Sequence, residues 1–126
     1  MTNFEKVKTF HAVFGQEDPE AASWPSKETI KLRIGLIVEE LNELKAAIKD
    51  KDMIEVADAL TDILYVTYGA AATFGIDIDE CFAEVHRSNL SKLQPDGTVK
   101  RREDGKIQKG EKYSPPNLHP IVYPQK

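Results

Sequence analysis

The sequence predicts an all-α fold, an antiparallel four-helix bundle-like core with an irregular C-terminal tail, and three observations support it. Apolar residues recur at three- and four-residue spacing through most of the first 92 positions, the signature of helices with one buried face. Each periodic segment is bracketed by residues that start or stop helices. The chain has 126 residues, 40% hydrophobic and 30% charged, which suits one ordinary globular domain with one core. A single domain over residues 1–126 is expected, with a helical core over about 3–92 and a turn-rich tail over about 93–126.

Phe4, Val7, Phe10 and Phe14 form the stripe of a short first helix that Gly15 can stop. Residues 16–25, with two prolines and three acids, read as a loop ending near Trp24. Ser26 is the expected N-cap of a second helix, with Glu28 in its first turn favouring the dipole. Ile30, Ile34, Ile37, Leu41, Leu44 and Ile48 then alternate at four and three, a seam that packs lengthwise on another helix. Lys49 to Asp52 is a tight charged turn, so the third helix returns antiparallel, with Asp52 as its cap and Glu55 in the capping-box position. From Met53 to Phe74 that helix is apolar on most of its circumference, which predicts a central, buried element. Gly75 ends it, and Asp77 or Asp79 caps a fourth helix whose stripe is Ile78, Phe82 and Val85, continued by the polar Asn89 and Lys92.

Composition narrows the function classes. The longest charge-free run, Ile63 to Ile76, has 14 residues, below the roughly 20 needed to span a bilayer, so no membrane segment is expected. Cys81 is the only cysteine, which excludes an internal disulfide and suits a reducing compartment; the cytoplasm is the expected location. The net charge of −4 is unevenly distributed: residues 1–91 hold 17 acids and 9 lysines and arginines, residues 92–126 hold 4 and 8. An acidic body holding a metal and a basic tail touching polyphosphate would reconcile those signs, and a solvated tail would do so equally well.

The chemistry concentrates in Glu39-Glu40-Leu41-Asn42-Glu43 and, on the next helix, Asp58 and Asp62. At about 100° per residue, Glu40 and Glu43 occupy adjoining turns of one face, as do Asp58 and Asp62. Relative to Ile37, Glu40 lies about 60° from the seam and Glu39 about 160° from it, so Glu40 is nearest the interior. No basic residue stands between Arg33 and Lys45, nor between Lys51 and Arg87, to neutralise them locally. Carboxylates in such surroundings are costly unless paired or metal-bound. A hard divalent cation, Mg²⁺ or Mn²⁺, is the expected neutraliser. A carboxylate-bridged di-iron bundle is disfavoured because none of His11, His86 or His119 completes a Glu-x-x-His motif.

The E-E-x-x-E run, the acids on the following helix and the apolar Ile63-Leu64-Tyr65 resemble the MazG-like all-α nucleoside triphosphate pyrophosphohydrolases. That superfamily includes phosphoribosyl-ATP pyrophosphohydrolase and dimeric dUTPases. The resemblance covers residues 27–92, and the closing Asp104-Gly105-Lys106 and Lys109-Gly110 to Pro116 segments look like those of the phosphoribosyl-ATP pyrophosphohydrolase branch. One departure stands out. The superfamily's second motif is E-x-x-D; Glu55 to Asp58 fits the letters, but alignment of the apolar run puts the aspartate at Asp62 and Ala59 at the glutamate, with Asp58 as its stand-in.

The resemblance implies hydrolysis of a nucleotide to monophosphate and pyrophosphate, with Mg²⁺ on Glu40, Glu43, Asp58 and Asp62. Glu39 would orient or deprotonate the water. Asn89, Lys92 and Arg87, with Lys109 and Tyr113 of the tail, would meet phosphate charge. His11, Phe14 and Trp24, beside Phe10, would flank the base. The expected partners are a nucleotide and further copies of the chain, as homodimer or homotetramer, without nucleic acid polymer or membrane. A dUTPase or a phosphoribosyl-ATP step fits the same carboxylates, and a non-catalytic helical oligomerisation or regulatory module is the alternative from another class.

Overall fold

A computed structural model describes residues 1–124; the last two residues of the expected tail lie outside the described ones. The fold is all-α, with helices α1 (Asn3–Val13), α2 (Lys27–Lys49), α3 (Met53–Phe74), α4 (Ile78–Leu90) and α5 (His119–Val122). The chain forms two compact units, Met1–Ile78 and Asp79–Lys126.

In the first unit each boundary has a local cause. Thr2 and Glu5 close a capping box on α1, Thr2 Oγ1 accepting the Glu5 amide at 3.1 Å and Glu5 Oε1 the Thr2 amide at 2.8 Å. Gly15, at φ +81°, lets the chain turn off the end. Ser26 Oγ accepts the Thr29 amide at 3.2 Å and starts α2. Asp52 Oδ1 does the same for Glu55 at 3.2 Å and starts α3. Gly75, at φ +71°, ends α3 where any Cβ would collide with the Ala21 carbonyl oxygen, so glycine is required for both conformation and space.

α2 and α3 run antiparallel, Arg33 meeting Gly69 at one end and Glu40 meeting Asp62 further along. α1 lies on the C-terminal half of α3, where Phe4, Ala71 and Ala72 make a core flanked by Tyr68 and Ile78. Phe10 meets Tyr65 edge-on at 5.8 Å between ring centroids.

Two expectations about faces are corrected. On α2 the buried positions are Arg33 and Ala47, with Leu36, Ile37, Glu40 and Leu44 half-buried, while Ile34, Val38, Leu41 and Ile48 are exposed. The arc turned to α3 is thus centred on Glu40, about 60° from the apolar seam. The small Ala59 and Gly69 of α3 admit close approach there, and the isoleucine-rich side is left open. α3 is correspondingly less enclosed than its composition predicts: Met53, Ile54, Leu60 and Leu64 face out.

In the second unit α4 buries Cys81 and Ser88, while Phe82, of the predicted stripe, is largely exposed and Val85 partly so. The face of α4 bearing Glu84 and Ser88 carries the chain's C-terminal segment by polar contacts. Ser88 Oγ donates to the Ser114 carbonyl at 2.8 Å, Ser91 Oγ accepts the Ser114 amide at 2.9 Å, and Glu84 Oε2 accepts the Asn117 amide at 2.7 Å. Between them residues 94–110 form a loop, closed where the Gly110 amide donates to the Lys92 carbonyl at 3.0 Å. Within it the stretches Thr98 to Arg102 and Lys106 to Lys109, whose flanking Asp-Gly turns suggest a small hairpin from sequence, pair through one antiparallel bridge, Arg101 to Ile107. No single helix among the described residues is long and apolar enough to cross a membrane.

Candidate metal and phosphate site

Glu40 and Glu43, one turn apart on α2, converge with Asp62 of α3, and one oxygen from each lies within 4.8 Å of the others. Oε2 of Glu40 is enclosed and has no hydrogen-bond partner. Interaction with the neighbouring Glu43 carboxyl pushes the Glu40 pKa up to about 7; burial and the charges of Glu43, Asp62 and Glu39 act the same way. Asp62 is also raised, by burial first and then by the charges of Asp58 and Glu43. No lysine or arginine forms an ion pair with the three among the described residues. The donor set is all oxygen, anionic and crowded enough to raise Glu40 and Asp62 above the usual carboxylate range. A hard divalent cation fits it, relieving the repulsion and supplying the partner that Glu40 Oε2 lacks.

Asp58 lies outside this trio. It is exposed, and with Glu43, Asp50, Asp52 and Glu55 it lines an acidic cavity of about 440 Å³ at the closed end of the α2–α3 hairpin. The inward position one turn before Asp62 is Ala59, only 3% exposed. The site therefore has three convergent carboxylates, with Asp58 acting on Asp62 through charge. Glu39 is exposed, on a side of α2 shared with Glu28, Leu32 and Leu36, and bears on Glu40 electrostatically.

The expected nucleoside contacts are dispersed. His11 is buried, its Nδ1 2.7 Å from Asp18 Oδ2. Phe14 is 72% exposed and stacks on Phe10; Trp24 is 82% exposed and meets Phe74 edge-on. In the second unit, Arg87 donates to both Glu84 oxygens, at 2.7 and 2.9 Å, and to the Pro115 carbonyl. Glu84 is thereby held down to about 2, by Arg87 first and then the Asn117 amide. Asn89 is exposed, Lys92 half-buried, and the Lys109 ammonium sits 4.8 Å over the Tyr113 ring.

Arg33 and Gln16 escaped the sequence reading. The Arg33 side chain lies between α2 and α3, with Nη2 donating to Gln16 Oε1 at 2.8 Å, and Gln16 Nε2 donates to Asp18 and Thr73. The available signal was spacing. Arg33 precedes Glu40 by seven residues and Gly69 follows Asp62 by seven, which returns both to the same face.

Antiparallel helices presenting a trio of acids across their seam suit the class that the sequence resembles, the all-α MazG-like nucleotide pyrophosphohydrolases. Residues 7–89 match the phosphoribosyl-ATP pyrophosphohydrolase family, and the chain belongs to that family. The chain is also 35% identical over 105 residues to uncharacterized protein L479 of Acanthamoeba polyphaga mimivirus, covering 79% of this chain and 39% of that relative. The chain thus spans about two-fifths of the length of the curated relative it matches.

Proposed function

We propose that this protein hydrolyses a nucleoside triphosphate or related nucleotide to the monophosphate and pyrophosphate, using Mg²⁺, with Mn²⁺ as a substitute, on Glu40, Glu43 and Asp62. The observation that carries this reading is the unneutralised carboxylate trio, together with membership of a pyrophosphohydrolase family. Asp58 completes the negative field around Asp62. When bound, the metal would draw charge from phosphate oxygens and acidify the attacking water.

In the reaction a water oxygen bonds to the α-phosphorus, the α–β anhydride bond breaks, and pyrophosphate leaves with the bonding electron pair. Glu39, exposed one residue before Glu40, is the proposed proton acceptor. Lys92, Asn89, Arg87, Lys109 and Tyr113 are the proposed phosphate contacts of the basic C-terminal region, Arg87 acting from its pair with Glu84. His11, Phe14 and Trp24 are retained as proposed nucleoside contacts, His11 through its hydrogen-bonded network. The family match favours phosphoribosyl-ATP as a second substrate reading, with the same bond cleaved.

Glu43→Gln tests the trio directly. It removes one anionic ligand and should abolish metal-dependent turnover, by about 100-fold or more, while circular dichroism stays unchanged. Retained turnover in a folded variant would remove the site assignment. Unchanged Mn²⁺ binding alongside absent turnover in the parent protein would favour a non-catalytic module.

A further inference from the structure

A second cavity in the first unit, of about 590 Å³, is lined by Gln16, Asp18, Pro25, Leu32, Arg33 and Thr73 among others. Its volume suits a small organic ligand, and its lining combines Pro19, Pro25 and Leu32 with polar and charged groups. Arg33 dominates its chemistry. The side chain is 9% exposed, makes one hydrogen bond, to Gln16, and has no carboxylate within ion-pair distance among the described residues. Its enclosed Nε lacks any acceptor. A guanidinium carries five donors and no acceptor, so most of its capacity is unspent.

Glu17, Ser23, Ser26 and Thr29 also line the cavity, and the polar groups nearest Arg33 are engaged with one another. Asp18 uses Oδ2 on His11 and Oδ1 on Gln16, and Gln16 Nε2 also reaches Thr73. Gly69 belongs to the same arrangement: a Cβ there would stand 3.0 Å from Arg33 Nη1 and 3.3 Å from His11 Nε2, so glycine makes the space that the guanidinium fills.

The position of this layer relative to the acid trio gives it meaning. Seven residues separate Arg33 from Glu40 on α2, and seven separate Asp62 from Gly69 on α3. Seven residues rise about 10.5 Å and return to within about 20° of the starting direction. Arg33 therefore stands on the same interhelical seam as the carboxylates, at about the reach of a nucleoside from its 5′ oxygen to the far edge of its base. We propose that Arg33 is a specificity-determining residue that donates to a ring carbonyl of the substrate's base, selecting 6-oxopurines over adenine and uracil over cytosine. The inference rests on the pyrophosphohydrolase reading for its choice of ligand. A donor-only group meets a carbonyl acceptor favourably and faces an amino group as donor against donor.

The test compares pairs that exchange a ring carbonyl for an amino group, and with it the N–H on the neighbouring ring nitrogen for a lone pair: inosine against adenosine triphosphate, and uridine against cytidine triphosphate. The wild-type protein should favour the oxo member by about 10- to 100-fold in kcat/KM, the worth of one hydrogen bond from a charged donor. In Arg33→Gln, whose amide can both donate and accept, the ratio should collapse toward one. Gly69→Ala, which crowds the guanidinium without removing it, should reduce the ratio and serves if Arg33→Gln fails to fold. Ratios near one in both wild-type pairs, or ratios unchanged in the folded Arg33→Gln variant, would overturn the inference while leaving the hydrolase reading intact. If none of these four triphosphates is turned over, calorimetric binding of the four monophosphates decides. Preference for the oxo members, lost in Arg33→Gln, would support the Arg33 role, and equal or absent binding would end it.

Discussion

Glu40 sets the pH behaviour of the whole site. Its folded pKa of about 7 lies above the ordinary value of 4.5, so between those limits the folded protein holds a proton that the unfolded chain releases. Metal-free stability from this group is therefore fully present below about pH 4.5 and is lost as pH rises through 7. A divalent cation competes with that proton. Mn²⁺ affinity, followed by electron paramagnetic resonance, should weaken by up to about tenfold per pH unit below 7 and level off above it. A flat profile between pH 6 and 8 would mean that Glu40 does not bind the ion. At this scale the trio was legible because i, i+3 spacing puts Glu40 and Glu43 on one face. Arg33 was not, because a basic residue on a helix is ordinarily read as solvated; its burial depends on Gln16 and on the space at Gly69.

Helix boundaries were legible because caps are local. Thr2 with Glu5, Ser26, Asp52, Gly15 and Gly75 each act within a turn of where they stand. Helix faces were less so. The periodicity of α2 marks Ile34, Leu41 and Ile48 as inward, yet the arc against α3 is centred on Glu40, because the neighbour's small residues decide which side can approach. α5 and the Ser88–Ser114 contacts carry no periodic signal at all. The α3 register also explains the departure in the second acidic motif. Position 59 points inward one turn before Asp62, whereas Asp58 is turned away by about 100°. Ala59→Glu should therefore add a fourth carboxylate to the trio and tighten Mn²⁺ binding by about tenfold or more. Calorimetry showing unchanged affinity in a folded variant would mean that this position does not reach the ion.

For the whole molecule, the proposed homo-oligomer rests on the open apolar side of the first unit, where Ile34, Val38, Leu41 and Ile48 are exposed on α2 and Ile54, Leu60 and Leu64 on α3. Isolated apolar residues on a surface need no explanation, but with Leu32, Met53 and Tyr65 the hairpin of α2 and α3 exposes ten large apolar residues, and the proposal is that some of them meet a second copy. A second copy would cover them, at the roughly 1,600 Å² typical of stable interfaces. Light scattering should give a dimer or tetramer, and Leu41→Glu should shift it toward monomer; a monomer at every concentration would refute the assembly. The apolar seams led to the expectation of an assembly from sequence alone, while which residues of α2 and α3 stay exposed depended on how the two helices pack. An acidic first part and a basic C-terminal part would suit a metal and a polyphosphate, and charge alone does not separate that from a solvated tail.

The central claim is that the carboxylate trio breaks an α–β phosphoanhydride bond. Phosphorus NMR of the protein with Mg²⁺ and a panel of nucleotides that includes phosphoribosyl-ATP, with Glu40→Gln alongside, tests it most directly. Monophosphate and pyrophosphate are expected from at least one nucleotide, and neither from the variant. Release of inorganic phosphate instead, equal turnover by Glu40→Gln, or no turnover of any nucleotide would contradict it.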